Sequence, residues 1–292
     1  MRVRRPWRKP GSATEEAELL RRRFVDVAAD LTPYVAVRHG SDTYIVPTGD
    51  YRMGTFFSTG RRIEWKVLSK ALAALAAAGV GAEKGLFIDG GANIGTTVLA
   101  ALAAGFERVI AIEPDPVNVR LLRANVALNG WQDNVHVVEA ALTNRAGTGS
   151  LELGRNRSMS RIVLDPGEQP VVDVTLLRLD DLVSEGAVDP ASVGLLWLDI
   201  EGYETQALEG ASAVLRRSPP LVMELHPGLL RDSGGLDRLP VLLDSAYTHV
   251  ASLRRTRNPR LRPVADLPSL ISRHEDGKTD LLLCRLDGPV LP

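Results

Sequence analysis

The stretch Leu86-Phe87-Ile88-Asp89-Gly90-Gly91-Ala92-Asn93-Ile94-Gly95-Thr96-Thr97 constrains the fold more than any other part of this chain. An apolar run ends in an acid, passes through a glycine-rich turn and resumes as a helical pattern. That succession of strand, turn and helix builds a small-molecule crevice, because residues without side chains let backbone N–H groups approach a ligand closely. The acid ahead of the glycines sets it apart from a dinucleotide site. A helix N-terminus after a Gly-x-Gly-x-x-Gly turn favours pyrophosphate, and Asp89 would repel that anion. A ligand carrying a cationic amine or sulfonium suits the position better. The spacing also departs from the dinucleotide fingerprint, since Asn93 and Gly95 follow Gly91 where that fingerprint places glycines at other offsets.

The alternation of patterns after this stretch predicts an α/β fold with a parallel sheet and covering helices. Expected strands cover residues 86–89, 108–113, 134–138, 194–199 and 221–225, with the first helix starting near Asn93. Asp115 and Pro116 read as N-cap and first helical residue of a helix running to Asn129, with Val117, Leu121, Ala124 and Leu128 as its inward stripe. The run 194–199 is apolar throughout, as in a strand buried on both faces. One helix after it carries Ala207, Leu208, Ala211, Val214 and Leu215 on a single face. An unusually long connection, residues 143–193, contains strand-like pieces at 149–153, 161–164 and 171–176 and a short helix at 179–184. A plain crossover needs far less, so this insertion is expected to cover the site, bind substrate or mediate contacts. The tail predicts a helix near 236–245, a strand near 248–253 and a last strand at 279–286, with a hairpin closing the sheet.

Ahead of the sheet, residues 1–60 form an extension holding a basic arm, a charged helix near 14–30 and short strands at 34–38 and 43–47; the main domain is expected over 61–292. That domain opens with a helix near 61–78, carrying Leu68, Leu72 and Leu75 at i, i+4 and i+7. A net charge of −1 gives no reason to expect nucleic acid as the partner. The single Cys284 excludes an intramolecular disulfide framework and a Cys-based zinc site, and a cytoplasmic protein fits that usage. No run reaches the ~18 apolar residues a membrane span needs, so no membrane partner is expected. A homodimer remains an open reading.

Glu113 lies 18 residues beyond Gly95, at the end of the second expected strand. An acid in that place holds ribose hydroxyls in doubly wound folds. With Asp89 and the glycine turn it describes a nucleoside-containing ligand with a positive group, the shape of S-adenosylmethionine. A second constellation, Asp199-Ile200-Glu201-Gly202-Tyr203-Glu204, puts two acids at spacing two where the fourth strand ends. Asp199 can point into the crevice, while Glu201 and Glu204 can instead cap the next helix. The third, Met223-Glu224-Leu225-His226-Pro227, places Glu224 and His226 on one side if the strand continues that far. His226 then reads as a general base oriented by Glu224, against the plainer reading of a loop-anchoring histidine.

These blocks, with Glu113-Pro114-Asp115, Leu121-Leu122-Arg123-Ala124-Asn125 and Gly210-Ala211, resemble the FkbM family of S-adenosylmethionine-dependent methyltransferases over about residues 85–226. The resemblance implies a Rossmann-like class I methyltransferase fold with a mostly parallel seven-stranded sheet and helices on both faces. It also implies O-methylation of a hydroxyl on a small natural product or glycan. Carried over by position, Asp89, Gly90, Gly91, Ala92, Asn93, Gly95 and Thr96 would surround the methionine part of the cofactor. Glu113, Pro114 and Asp115 would take the ribose side, Ala141 and Leu142 would face the adenine, and Asp199 would also belong to the cofactor-binding set. Ser158 and Ser160 fall where members often have serines near the site. Asp199 or His226, with Glu224, would serve as the catalytic set, with no resident metal. One departure is that many members carry Lys two residues before the fourth-strand Asp, where this chain has Trp197. The alternatives are a metal-assisted O-methyltransferase using Asp199, Glu201, Glu224 and His226, an N-methyltransferase, an NAD-dependent oxidoreductase and a non-catalytic cofactor-binding protein.

Overall fold

The computed structural model describes residues 27–48, 63–81, 84–154, 160–163, 170–254, 256 and 258–286. The basic arm, most of the expected helix at 14–30, and Ser158 lie outside the described residues. The chain divides into two compact units, Met1–Arg62 and Ile63–Pro292. In the first, β1 (Tyr34–His39) and β2 (Asp42–Pro47) pair as an antiparallel hairpin. It turns at Gly40, whose φ of 67° a side chain would oppose.

The second unit opens with α1 (Ile63–Ala77), which buries Leu68, Ala71 and Leu75 and leaves Leu72 only half-buried. The strands that follow are β3 (Leu86–Gly90), β4 (Arg108–Ile112) and β5 (Val135–Val138), alternating with α2 (Thr96–Ala103) and α3 (Pro116–Leu128). Beyond the insertion come β10 (Val193–Leu198), the short helices α5 (Glu204–Glu209) and α6 (Ser212–Leu215), and β11 (Leu221–Leu225). The tail supplies α7 (Pro227–Asp232), α8 (Leu239–Ala246), β12 (His249–Ser252), β13 (Arg262–Pro263), α9 (Leu267–Arg273) and β14 (Thr279–Cys284).

These strands make one sheet in the order β13-β12-β14-β11-β10-β3-β4-β5. It is parallel from β11 to β5, whereas β14 enters antiparallel between β11 and β12. The two-residue β13 makes eight strands where seven were expected. The chain builds outward from β3 to β5, then returns to the other side of β3 with β10 and β11. The point of reversal lies between β3 and β10, and a doubly wound, Rossmann-like sheet opens its ligand crevice at the carboxyl ends of the strands there.

Alternation along the strands explains how the sheet is covered. Ile88, Ile110, Leu196, Leu198, Met223 and Leu225 share one core with Leu208 of α5, Val214 of α6, Leu243 of α8 and Leu270 of α9. Phe87 and Trp197 belong to the alternate set, and the Phe87 ring meets those of Phe106 and Trp197 at centroid separations of 5.0 and 6.4 Å. Burying each large apolar side chain contributes about 1.5–3 kcal/mol.

The long connection folds as a second sheet of β6 (Ala141–Leu142), β7 (Gly147–Glu152), β8 (Arg161–Val163) and β9 (Val171–Leu177), ordered β6-β9-β7-β8, and then α4 (Leu179–Ser184). Leu151, Ile162, Val174 and Leu176 give it a small core of its own.

Three local expectations are corrected. Helix α2 starts at Thr96 rather than near Asn93, because Asn93 and Gly95 both take positive φ, 50° and 93°. In α3 the buried face is Asn118, Val119, Leu121, Leu122, Asn125 and Val126; of the expected stripe Leu121 is buried as expected, while Leu128 is 51% exposed and Val117 and Ala124 are half-buried. The expected stripe differs because two of the inward residues are asparagines. The expected single helix after β10 breaks at Gly210, where a Cβ would lie 2.2 Å from the Thr143 carbonyl oxygen. Asp180 then caps the second piece, accepting from the backbone N–H groups of Ser212 (3.1 Å) and Ala213 (2.8 Å).

The tightest backbone approach is at Gly91, where φ is 86° and a Cβ would lie 2.1 Å from the Asp199 carbonyl oxygen. Replacing Gly91 with Ala is therefore expected to cost about 2–4 kcal/mol. The melting temperature should fall by roughly 5–12 °C in a calorimetric scan; an unchanged value would refute the close approach.

Candidate active site

The carboxyl ends of β3, β4, β10 and β11 each deliver one acid, namely Asp89, Glu113, Asp199 and Glu224. The turn after β3 is locked between its neighbours. Gly91 and Ala92 donate their backbone N–H groups to the Ile112 carbonyl at 2.9 and 3.1 Å, and Asp199 donates its own to the Gly90 carbonyl at 3.0 Å. Glu113 ties the turn to the start of α3. Its Oε2 accepts from the Asn93 N–H (2.9 Å), and its Oε1 accepts from the Asp115 N–H (3.0 Å) and from Asn118 Nδ2 (3.3 Å). Asp115 caps α3 by accepting from the Val117 N–H at 2.8 Å, with Pro116 at the first helical position as expected. Asn125 Nδ2 donates to the Ile94 carbonyl at 2.8 Å, so both buried asparagines of α3 hold this corner.

Asp89 is fully buried, and neither of its carboxylate oxygens has a hydrogen-bond partner among the described residues. Burial, and then the carboxylates of Asp199, Glu113 and Glu64, push its pKa well above the ordinary aspartate range. Trp197 is its register neighbour on β10, so an indole stands where the related pattern has a lysine. An isolated buried carboxylate is costly enough to stay protonated until a cation or a set of donors meets it.

Around it the acids are crowded. Burial and Glu224 raise Asp199 to about 7, and burial raises Glu113 to about 7 against the pull of its hydrogen bonds. Glu64, from α1, is also raised to about 7, by burial first, with Asp199 and Asp280 adding to it. Two cations offset this charge. Lys278 Nζ donates to Glu224 Oε1 at 2.6 Å; Arg254 reaches the same oxygen through Nη2 at 3.3 Å and grips Asp280 through Nε and Nη2 at 2.6 and 3.0 Å.

The expected pairing of Glu224 with His226 is not made; Glu224 is held by Lys278 and Arg254 instead. His226 caps α7, its Nδ1 accepting from the Leu229 N–H at 3.4 Å. Glu204 proves to be a loop clamp: its Oε1 accepts from the N–H groups of Ile200 (3.1 Å) and Gly202 (3.3 Å). Burial raises it to about 8. Asp199, Glu201 and Glu224 bring carboxylate oxygens within 4.8 Å of one another, without His226 in the group. Leu142 of β6 packs over the turn, its Cδ1 2.8 Å from where a Gly90 Cβ would sit, and Ala141 is buried beside it. Ser160 accepts the Gly154 N–H at 3.3 Å, a local loop contact.

Sequence reasoning missed Glu64, Arg254, Lys278 and Asp280. The signal for the last two is faint but present: Lys278-Thr279-Asp280 stands directly before the apolar run Leu281–Leu283. Arg254 follows the last apolar residue at β12's carboxyl end in the same way. The expected hairpin gives β14 its antiparallel direction against β12, but local spacing does not carry its place beside β11, which sets Asp280 against Glu224 in register.

Glu64, Glu113, Asp199 and Glu204 keep their protons, in the folded chain, to about pH 7–8, against ordinary values of 3.8–4.5. Between those limits the folded state binds more protons than the unfolded one, so unfolding free energy falls as pH rises. The ligand-free protein is expected to melt at higher temperature near pH 5.5 than near pH 8. A profile that is flat or rises over that span in thermal scans would contradict the burial of these acids.

The family model described as "Methyltransferase FkbM domain" matches residues 89–247, more than half of the chain. The curated "Methyltransferase sdnD" of Sordaria araneosa is 30% identical over 152 residues, which cover 42% of this chain and 59% of that protein. The chain thus spans well under two thirds of that relative. Among solved structures, the O-methyltransferase from Bacillus cereus in complex with SAH is similar at 14% identity and a TM-score of 0.43, over 95% of this chain and 92% of that one. No helix among the described residues is long and apolar enough to cross a membrane.

Proposed function

This chain belongs to the FkbM methyltransferase domain family, and from that premise we propose that it transfers a methyl group from S-adenosylmethionine to a hydroxyl on a small natural product or glycan. The observation that carries the reading is the buried Asp89 carboxylate, unpartnered at the reversal point of the sheet and surrounded by other acids. The α-amino group of S-adenosylmethionine is a cation with three N–H donors, which such a carboxylate needs and a dinucleotide phosphate cannot supply. Gly90, Gly91, Ala92, Asn93, Gly95 and Thr96 form the wall for the methionine part. Glu113, held by three donors, offers its remaining lone pairs to the ribose hydroxyls, with Pro114 and Asp115 beside it. Ala141 and Leu142 stand on the adenine side.

Methyl transfer is an in-line displacement in which alignment of nucleophile, methyl carbon and sulfur supplies up to about 7–11 kcal/mol. As the acceptor oxygen bonds to the methyl carbon, the carbon–sulfur bond breaks and the hydroxyl proton leaves. Asp199 takes that proton in this reading, since burial and Glu224 place it at about 7, where a carboxylate can act as a base at neutral pH. Glu224 acts as a positioning residue through Lys278 and Arg254. His226, which caps α7 and does not pair with Glu224, is not the base in this reading.

A divalent cation is the second reading, favoured by the convergence of Asp199, Glu201 and Glu224. The Lys278 ammonium, already 2.6 Å from Glu224, competes for that charge. Turnover that collapses in chelator and returns with magnesium would favour the metal.

Two measurements test the main reading. Asp89→Asn is expected to weaken S-adenosylmethionine binding by about tenfold or more, the worth of a hydrogen bond to a charged group; calorimetry showing wild-type affinity would remove the assignment. With radiolabelled S-adenosylmethionine and fractionated small-molecule acceptors, Asp199→Asn should lower turnover by about 10²–10⁴, while His226→Ala should leave it largely intact. The reverse ranking would restore the histidine as base.

A further inference from the structure

The tail of the sheet holds an open cleft of about 420 Å³ with Arg254, the partner of Glu224 and Asp280, in its lining. Its lining includes Arg254 after β12, Arg260, Arg262 of β13, Arg273 at the end of α9 and His274, with Leu270 at its apolar side. Among the described residues, Arg260, Arg262 and Arg273 make no ion pair, and Arg254 commits only its Nε and Nη2 to Asp280 and Glu224. This concentration of positive charge is local, because the chain as a whole carries a net charge of −1. Guanidinium groups gathered without acids repel one another. Their planar N–H forks match phosphate oxygens, and a dianionic phosphate offsets several of them at once where a single carboxylate would leave an excess.

We propose that this arginine cleft binds a phosphate group carried by the methyl acceptor. The inference rests on the methyl-transfer reading and names the acceptor class: a phosphorylated small molecule whose hydroxyl lies at Asp199 while its phosphate lies among Arg260, Arg262 and Arg273. Arg254 joins the two halves, since its Nη2 is 3.3 Å from Glu224 Oε1 while its side chain lines the cleft. The charge division is consistent with that arrangement. The cationic cofactor falls to the acids at the ends of β3 and β10, and the anionic acceptor falls to the arginines past β12.

The test titrates inorganic phosphate into the full chain, with and without S-adenosylhomocysteine, at constant ionic strength set by sodium chloride. Arg262 and Arg273 are both exposed, so an Arg262→Gln/Arg273→Gln double variant should keep its melting temperature, and Arg260→Gln serves as an independent check. The expected result is saturable phosphate binding by the wild type, weakened about tenfold or more in the double variant, with S-adenosylhomocysteine affinity unchanged. Phosphate binding no stronger than chloride, or equal in wild type and variant, would overturn the proposal. Loss of S-adenosylhomocysteine binding in the double variant would overturn it too, by giving the cleft to the cofactor. So would a single-stranded RNA oligonucleotide that binds far more tightly than phosphate, with steep salt dependence and loss in the same variant. Failure of the wild type to bind S-adenosylhomocysteine at all would remove the cofactor reading, whereas the phosphate difference reads the cleft alone.

Discussion

The carboxylate of Asp89, buried at the middle of a parallel sheet with no donor on either oxygen among the described residues, is the constraint on which the rest of the site depends. Nothing in the packing of a sheet requires an acid there. Its neighbours worsen its position, since Asp199, Glu113 and Glu64 are themselves carboxylates. Trp197 fills the adjacent register position with an aromatic ring that packs toward Phe87. A lysine in that place would supply a built-in counter-ion. With tryptophan there, this strand neighbour supplies no counter-ion, and the acid stays protonated until a ligand bearing a cation or several donors meets it.

The scaffold around that demand is unusually tied together. The glycine turn hangs from the Ile112 carbonyl, and β10 reaches it through the Asp199 N–H. Glu113 binds it to the first turn of α3 by way of Asn93 and Asp115. Three strand ends thus share one hydrogen-bonded floor, and Gly91 has to be glycine because the Asp199 carbonyl occupies the space of any Cβ. Such a floor holds its reacting groups in place before the ligand arrives, which is what an alignment-dependent displacement asks of a protein. Glu204 does the same for the loop after β10, committing its carboxylate to two backbone N–H groups.

Much of this arrangement is legible in the amino-acid sequence, for a local reason. An apolar run that ends in an acid marks a strand whose last residue faces a crevice, and Asp89, Glu113, Asp199 and Glu224 all carry that mark within a few residues. What is not legible depends on distant pairing. Asn118 and Asn125 fall outside the expected apolar stripe of α3, since polar residues usually point outward, yet they turn inward to bind Glu113 and Ile94. The break at Gly210 follows from contact with Thr143, 67 residues earlier in the chain. Arg254, Lys278 and Asp280 join the site only because β14 inserts between β11 and β12; a closing hairpin is expected there, but its place beside β11 is announced by no local pattern. The expected pairing of His226 with Glu224 fails by the same route. Their spacing suits a pair, but Lys278 and Arg254, brought in by that insertion, claim the carboxylate.

The central claim is that Asp89 is the anchor for the amino-acid end of the cofactor. A crystal structure of the chain with S-adenosylhomocysteine tests it most directly. The account predicts the α-amino nitrogen within about 2.7–3.2 Å of an Asp89 carboxylate oxygen, with the ribose hydroxyls on Glu113. A nucleoside bound elsewhere, or an Asp89 carboxylate still without a donor in the complex, would contradict it.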